Sequence, residues 1–113
     1  MDGDLTPWEF AKRVLPFKYV TSDEIYDRLS KGLAHLWVNK QSAAVTEVTD
    51  ANTLRIWLAG GRLNQMLPVL PDVEAFAKAL GCKGVELEGR EGWLRVLSPK
   101  NYVYDGQRLI KWL

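Results

Sequence analysis

The chain has 113 residues, 47% of them hydrophobic and 26% charged, a balance that suits one folded domain and excludes an extended disordered chain. Its 15 basic and 14 acidic residues are interspersed for a net charge of +1, so no basic stripe exists to follow a phosphate backbone and nucleic acid is not an expected partner. A single cysteine, Cys82, leaves no internal disulfide and no cysteine-based zinc site, and no apolar run of about 18 residues is present to cross a membrane.

The polar start Met1-Asp2-Gly3-Asp4 lacks the basic and apolar regions of a secretory signal, so the chain is expected to stay in a cytoplasm. Thr6-Pro7-Trp8-Glu9 opens the first helix: Thr6 is a cap, Pro7 suits the first helical position, and Glu9 completes a capping box. Pro16 stops that helix after Val14 or Leu15. Thr21 and Glu24 repeat the start signal, Ile25, Leu29 and Leu33 follow at helical spacing, and Gly32 is a natural end.

The period then changes to that of strands. Residues 33–38, 43–48 and 53–59 are three apolar or β-branched runs separated by the turns Asn39-Lys40-Gln41-Ser42 and Thr49-Asp50-Ala51-Asn52, an antiparallel meander. In the third run Leu54, Ile56 and Leu58 are expected on one face, with Arg55 and Trp57 on the other. Gly60-Gly61 ends the meander. From about 62 to 80, Leu63, Met66, Leu67, Leu70, Val73, Ala77 and Leu80 recur at helical spacing, with a kink or break expected at Pro68 and Pro71. Gly81 closes this segment, Lys83 to Glu88 reads as a strand, and Arg90 to Leu97 as a short helix broken by Ser98-Pro99. Asn101–Tyr104 and Leu109–Leu113 are two strands around the hairpin signal Asp105-Gly106.

The order α-α-β-β-β-α-β-α-β-β predicts a single α/β domain over 1–113: helices in 1–32, the meander in 33–59, and crossover helix, strand, short helix and hairpin in 60–113. A connection as long as 62–80 suits a parallel crossover, so the sheet is expected to be mixed.

From about Leu33 to Leu113 this order resembles the GNAT acyltransferase superfamily, although that family's usual first strand is not evident before the helices. Leu58-Ala59-Gly60-Gly61-Arg62-Leu63, Gly81-Cys82, Gly89-Arg90-Glu91-Gly92-Trp93 and the closing hairpin are also similar to small GNAT-like proteins encoded by tailed bacteriophages. In the family, a Gln/Arg-x-x-Gly-x-Gly/Ala loop before the crossover helix holds the pyrophosphate of acetyl-CoA on backbone N–H groups. Here only Gly60, Gly61 and Arg62 stand in that place, as the candidate cofactor-binding residues, and the loop is several residues short. The family's later tyrosine, which protonates the leaving thiolate, falls on Leu97, and its asparagine on Arg90.

Tyr102 or Tyr104 would have to substitute for that tyrosine. Glu47, Glu86 and Glu88, on strands, are the candidates for a general base, against a plain reading as solvated carboxylates. His35, alone in the first strand, reads as a hydrogen-bonding residue. No metal cluster is expected.

The resemblance implies two readings. One is a non-catalytic protein needing no cofactor, in or assembling a bacteriophage particle and located in the bacterial host cytoplasm and the virion. Its partners would be other virion or assembly proteins or further copies of itself, met through Trp8, Phe17, Tyr19 and Trp112. The other is an acetyl-CoA-dependent N-acyltransferase.

Overall fold

The computed structural model describes residues 5–113; the polar start Met1–Asp4 lies outside the described residues. Helix α1 spans Pro7–Val14 and α2 spans Ser22–Ser30, each begun by its threonine. The Glu9 N–H donates to Thr6 Oγ1 and the Glu24 N–H to Thr21 Oγ1, both at 3.1 Å, so each cap satisfies one otherwise unpaired helix donor. Leu15, ahead of Pro16, is extended as pre-proline sterics require.

Strands β1 (Ala34–Asn39), β2 (Ser42–Val48) and β3 (Leu54–Gly60) form the expected meander. The crossover follows in three pieces: α3 (Leu63–Met66), a 3₁₀ turn (Leu67–Val69) and α4 (Leu70–Ala79). Pro68 and Pro71, which lack the N–H that a continuous helix needs, stand at the breaks. Next come β4 (Gly84–Glu88), α5 (Glu91–Leu97), a second 3₁₀ turn (Ser98–Lys100), β5 (Val103–Tyr104) and β6 (Arg108–Trp112). The six strands make one mixed sheet in the order β1-β2-β3-β4-β6-β5, in which β3 and β4 are the parallel neighbours. The α/β class and the mixed sheet are therefore as the element order predicted.

Two details differ from expectation. The strand over Asn101–Tyr104 shrinks to two residues, because Asn101 takes a left-handed conformation (φ 71°) that ends the 3₁₀ turn and sends Tyr102 into the core. In β3, Trp57 has no partner: the β2–β3 register slips between Val45, opposite Leu58, and Thr46, opposite Ile56. That extra residue is a β-bulge. It turns Leu58 onto the same face as Trp57, whereas strict alternation placed Leu58 with Leu54 and Ile56.

The sheet carries a core on each face. Leu54, Val85, Leu87 and Leu109 meet Leu70, Val73 and Ala77 of α4, with Leu97, Tyr102 and Cys82, on one side. Ala34, Ala43 and Val45 meet Ala11, Leu15 and Ile25 of the first two helices on the other.

Candidate functional site

The bulge positions the site. Parallel pairing between β3 and β4 covers only Leu54–Ile56 against Val85–Leu87. Beyond Trp57, β3 stays with β2 while β4 ends at Glu88, so the two parallel strands part at their carboxyl ends. Crevices at such ends are where open α/β sheets place ligands. A cleft of about 500 Å³ lies there on the α1–α2 side, lined by Lys18, Tyr19, Trp57, Leu58, Glu88, Arg90 and Trp93 among others. A smaller apolar cavity of about 40 Å³ lies toward α4 and shares Ile56, Ala59, Leu87 and Trp93 with it, so both open on the same parting.

The cleft is mixed in character. Lys18 and Arg90 bring positive charge, Glu24 and Glu88 bring negative charge, and Trp57 and Trp93 form apolar walls. The Lys18 ammonium sits 5.4 Å from the Tyr19 ring, and Arg90 pairs with Glu88 at 3.2 Å. The segment from Pro16 to Val20, left between two helices by the Pro16 stop, supplies the rim, with Tyr19 90% exposed on it.

Gly60 and Gly61 stand at the far end of β3, and their own chain accounts for both. A β-carbon on Gly60 would lie 1.9 Å from the Val14 carbonyl oxygen; one on Gly61, where φ is +89°, would lie 2.2 Å from the Gln41 carbonyl oxygen. The α1 end and the β1–β2 turn thus pack directly on the doublet, and both present carbonyl oxygens, the wrong sign for an anion. Gln65 of α3 ties the same turn down: its Oε1 accepts the Gln41 N–H at 2.7 Å, and its carbonyl accepts from the Asn39 amide. Arg62 precedes α3, exposed and without a capping bond.

The other predicted residues are dispersed. Glu47 is 8% exposed and held between Arg28, at 3.4 Å, and Arg55. Both guanidiniums also stack on Trp57, at 5.2 and 5.4 Å. Glu86, equally buried, accepts from Thr53 and pairs with Arg108 at 2.9 Å. Only Glu88 of the three lines the cleft. Tyr102 lies in the α4-side core, where its hydroxyl donates to Glu74 at 2.7 Å and Lys111 donates to the same carboxylate at 3.0 Å. Burial, then the hydrogen bond to Glu74 and its charge, push this phenol far above its ordinary pKa. Tyr104 is half exposed, and its hydroxyl donates to the Gly106 carbonyl. Leu97 is buried in the same core as Tyr102.

His35 has Nδ1 3.1 Å from Thr46 Oγ1 and its ring edge-on to Phe76 at 4.7 Å. Burial lowers its pKa, against a Thr46 contact that works in the opposite direction. Cys82 is buried, and burial raises its thiol pKa, away from the thiolate form on which reactive cysteines depend. Of the aromatics expected at contacts, Trp8 and Phe17 pack edge to face at 6.2 Å between the first helices, while Tyr19 and Trp112 are exposed.

Sequence reasoning singled out Tyr19 and Glu88 but missed Lys18 and Trp57 as lining residues. The signal for the cleft was the proline-stopped loop, but its partner, the bulge, has no local signature. Among the described residues no cluster of His, Cys, Asp or Glu is arranged for a metal, and no helix is long and apolar enough to cross a membrane. No family model, curated protein or solved structure matches the chain.

Proposed function

We propose that this chain is a non-catalytic, GNAT-like protein that works through protein–protein contacts, in a bacteriophage particle or in its assembly. The observation that carries the non-catalytic part is the filled doorway at Gly60-Gly61. The Val14 and Gln41 carbonyl oxygens lie 1.9 and 2.2 Å from where a β-carbon on Gly60 or Gly61 would stand, so neighbouring backbone fills the α-carbon side of both glycines and brings negative partial charge against a pyrophosphate there. The dispersal of Glu47, Glu86 and Tyr102 supports the same reading, since acid–base chemistry needs its groups within hydrogen-bond reach of one substrate atom. Glu47 and Glu86 are each engaged by arginines. The phage setting is carried over from the resemblance of Leu58–Leu63, Gly81-Cys82, Gly89–Trp93 and the closing hairpin alone.

A thermal melt with and without millimolar acetyl-CoA tests this reading. A ligand that binds only the native state at a hundredfold excess over its Kd adds about 2.7 kcal/mol, or roughly 10 °C for a domain of this size. No shift is expected. A clear rise in Tm would overturn the reading. The setting has its own check: the chain should be recovered with purified particles or assembly intermediates, and its absence from both would count against a virion role.

The parting of β3 from β4 favours a second reading, an acetyl-CoA-dependent N-acyltransferase. Under it an acyl group would lie between Ile56–Leu58 and Leu87–Glu88, with Glu88 as the base and Leu97, buried in the α4-side core, in the place of the family's tyrosine. The same melt decides between the two.

A further inference from the structure

We infer that the outer edge of β1 is a self-association surface, on which a second copy of this chain adds its own β1 antiparallel about a two-fold axis at Leu36. Among the described residues β1 pairs with β2 alone and stands at the end of the sheet. Asn39 and Ser42 close a two-residue turn and so form a hydrogen-bonded pair; alternation then turns the backbone groups of Trp37 and His35 toward β2. The N–H and C=O groups of Leu36 and Val38 face outward, at a half-buried and an exposed position; those of Ala34 point the same way but lie under neighbouring side chains, the residue being 4% exposed. Sheet edges are ordinarily blunted by a charged residue, a proline, a bulge or a covering segment. Leu33 to Asn39 contains no charge and no proline, and the β1–β2 register runs unbroken.

The edge is complementary to itself. With the axis at Leu36, that residue meets the second copy's Leu36, Ala34 meets Val38, and His35 meets Trp37. Apolar groups face apolar groups on the α1–α2 side, aromatic rings face each other on the α4 side, and no charge meets a like charge. Leu36 and its mate exchange two backbone hydrogen bonds, and four more form between Val38 and Ala34 once the side chains over Ala34 move aside.

A groove beside the edge completes the surface. It has a volume of about 330 Å³ and is lined by Trp8, Tyr26, Leu29 and Leu36 among others. Tyr26 is 53% exposed, with its ring 5.7 Å from that of Trp8. Strand pairing alone covers less than the roughly 800 Å² per partner of a stable interface, and the groove with its two-fold mate supplies apolar area on the same side. Leu33 and Val38, 56% and 40% exposed, are covered by the same pairing.

This surface lies on β1 and the flanking faces of α1 and α2, away from the β3–β4 cleft. Coenzyme binding would overturn the proposed function and leave self-association standing.

Sedimentation velocity over a micromolar to near-millimolar range tests it. The expected mass at the upper end is twice that of the chain. Val38→Lys and Tyr26→Lys, both at exposed positions, should each weaken the dimer at least tenfold while the monomer keeps its circular dichroism and Tm. Leu36→Cys should form an intermolecular disulfide on mild oxidation, and Val48→Cys, exposed at the far end of β2, should not. A monomer throughout the range overturns the inference and leaves the edge to a strand of another protein. A dimer that Val38→Lys leaves intact overturns it as well, even if Leu36→Cys proves too poorly folded to cross-link.

Discussion

A β-carbon at Gly60 would meet the Val14 carbonyl oxygen at 1.9 Å, its carbon at 2.8 Å and the Leu15 Cα at 3.2 Å. All three are backbone atoms, so no rotamer change relieves the contact and the end of α1 must lift from the sheet. Gly60→Ala is therefore expected to cost about 3 kcal/mol, the upper end of ordinary overpacking. Gly92, in α5, has nothing within 4 Å of an added β-carbon, and Gly92→Ala should stabilise by about 0.5–1 kcal/mol through lower unfolded-chain entropy. Paired chemical melts of the two variants check this. If Gly60→Ala melts with the parent, the doublet is not held by α1, and the case against a phosphate there loses its main support. In the sequence a Gly-Gly before a helix reads equally well as an anion loop or as a close approach; what decides between them is Val14, far away along the chain.

Among the elements, those whose cause is local were legible. Thr6 and Thr21 cap as their capping boxes indicate, and Pro68 and Pro71 break the crossover. The bulge at Trp57 was not legible, because it comes from fitting β3 to β2 while its other edge meets β4. The candidate cleft shares that origin, so its walls could not be assembled from spacing. Nor was the shortness of β5, which follows from Tyr102 reaching Glu74 on another element. The β1–β2 hairpin offers a test at this scale. Lys40, first in its turn, has φ 54°, a left-handed conformation that costs a side chain about 1 kcal/mol and that such turns reserve for glycine. Relief of that strain is offset by the entropy a glycine adds to the unfolded chain, so Lys40→Gly should raise the urea midpoint by the equivalent of no more than about 0.5 kcal/mol, without changing the denaturant slope, whereas Lys40→Val, β-branched, should lower it by about 1 kcal/mol. A midpoint that Lys40→Val leaves unchanged would mean that the turn relaxes out of the left-handed conformation.

At the scale of the molecule, the two cores belong to one sheet. Leu54 and Ile56 face α4 while Trp57 and Leu58, in the same strand, face the α1–α2 side, so neither core keeps its wall if the other melts. A chain of 113 residues built this way should unfold in one step. Trp8 and Trp57 report on one core and Trp37 and Trp93 on the other, so fluorescence and far-ultraviolet dichroism should give coincident curves. The stronger test disturbs each core separately. Ile25 in α2 and Leu54 in β3 are both 0% exposed, and truncating either to alanine should cost about 2–5 kcal/mol. If the sheet couples the faces, each variant shifts the whole transition and leaves it single. If Ile25→Ala instead splits the curve, the first two helices form a unit that detaches on its own. The cleft rim from Pro16 to Val20 would then open with them, because its position depends on α1 and α2 staying docked on β1 and β2.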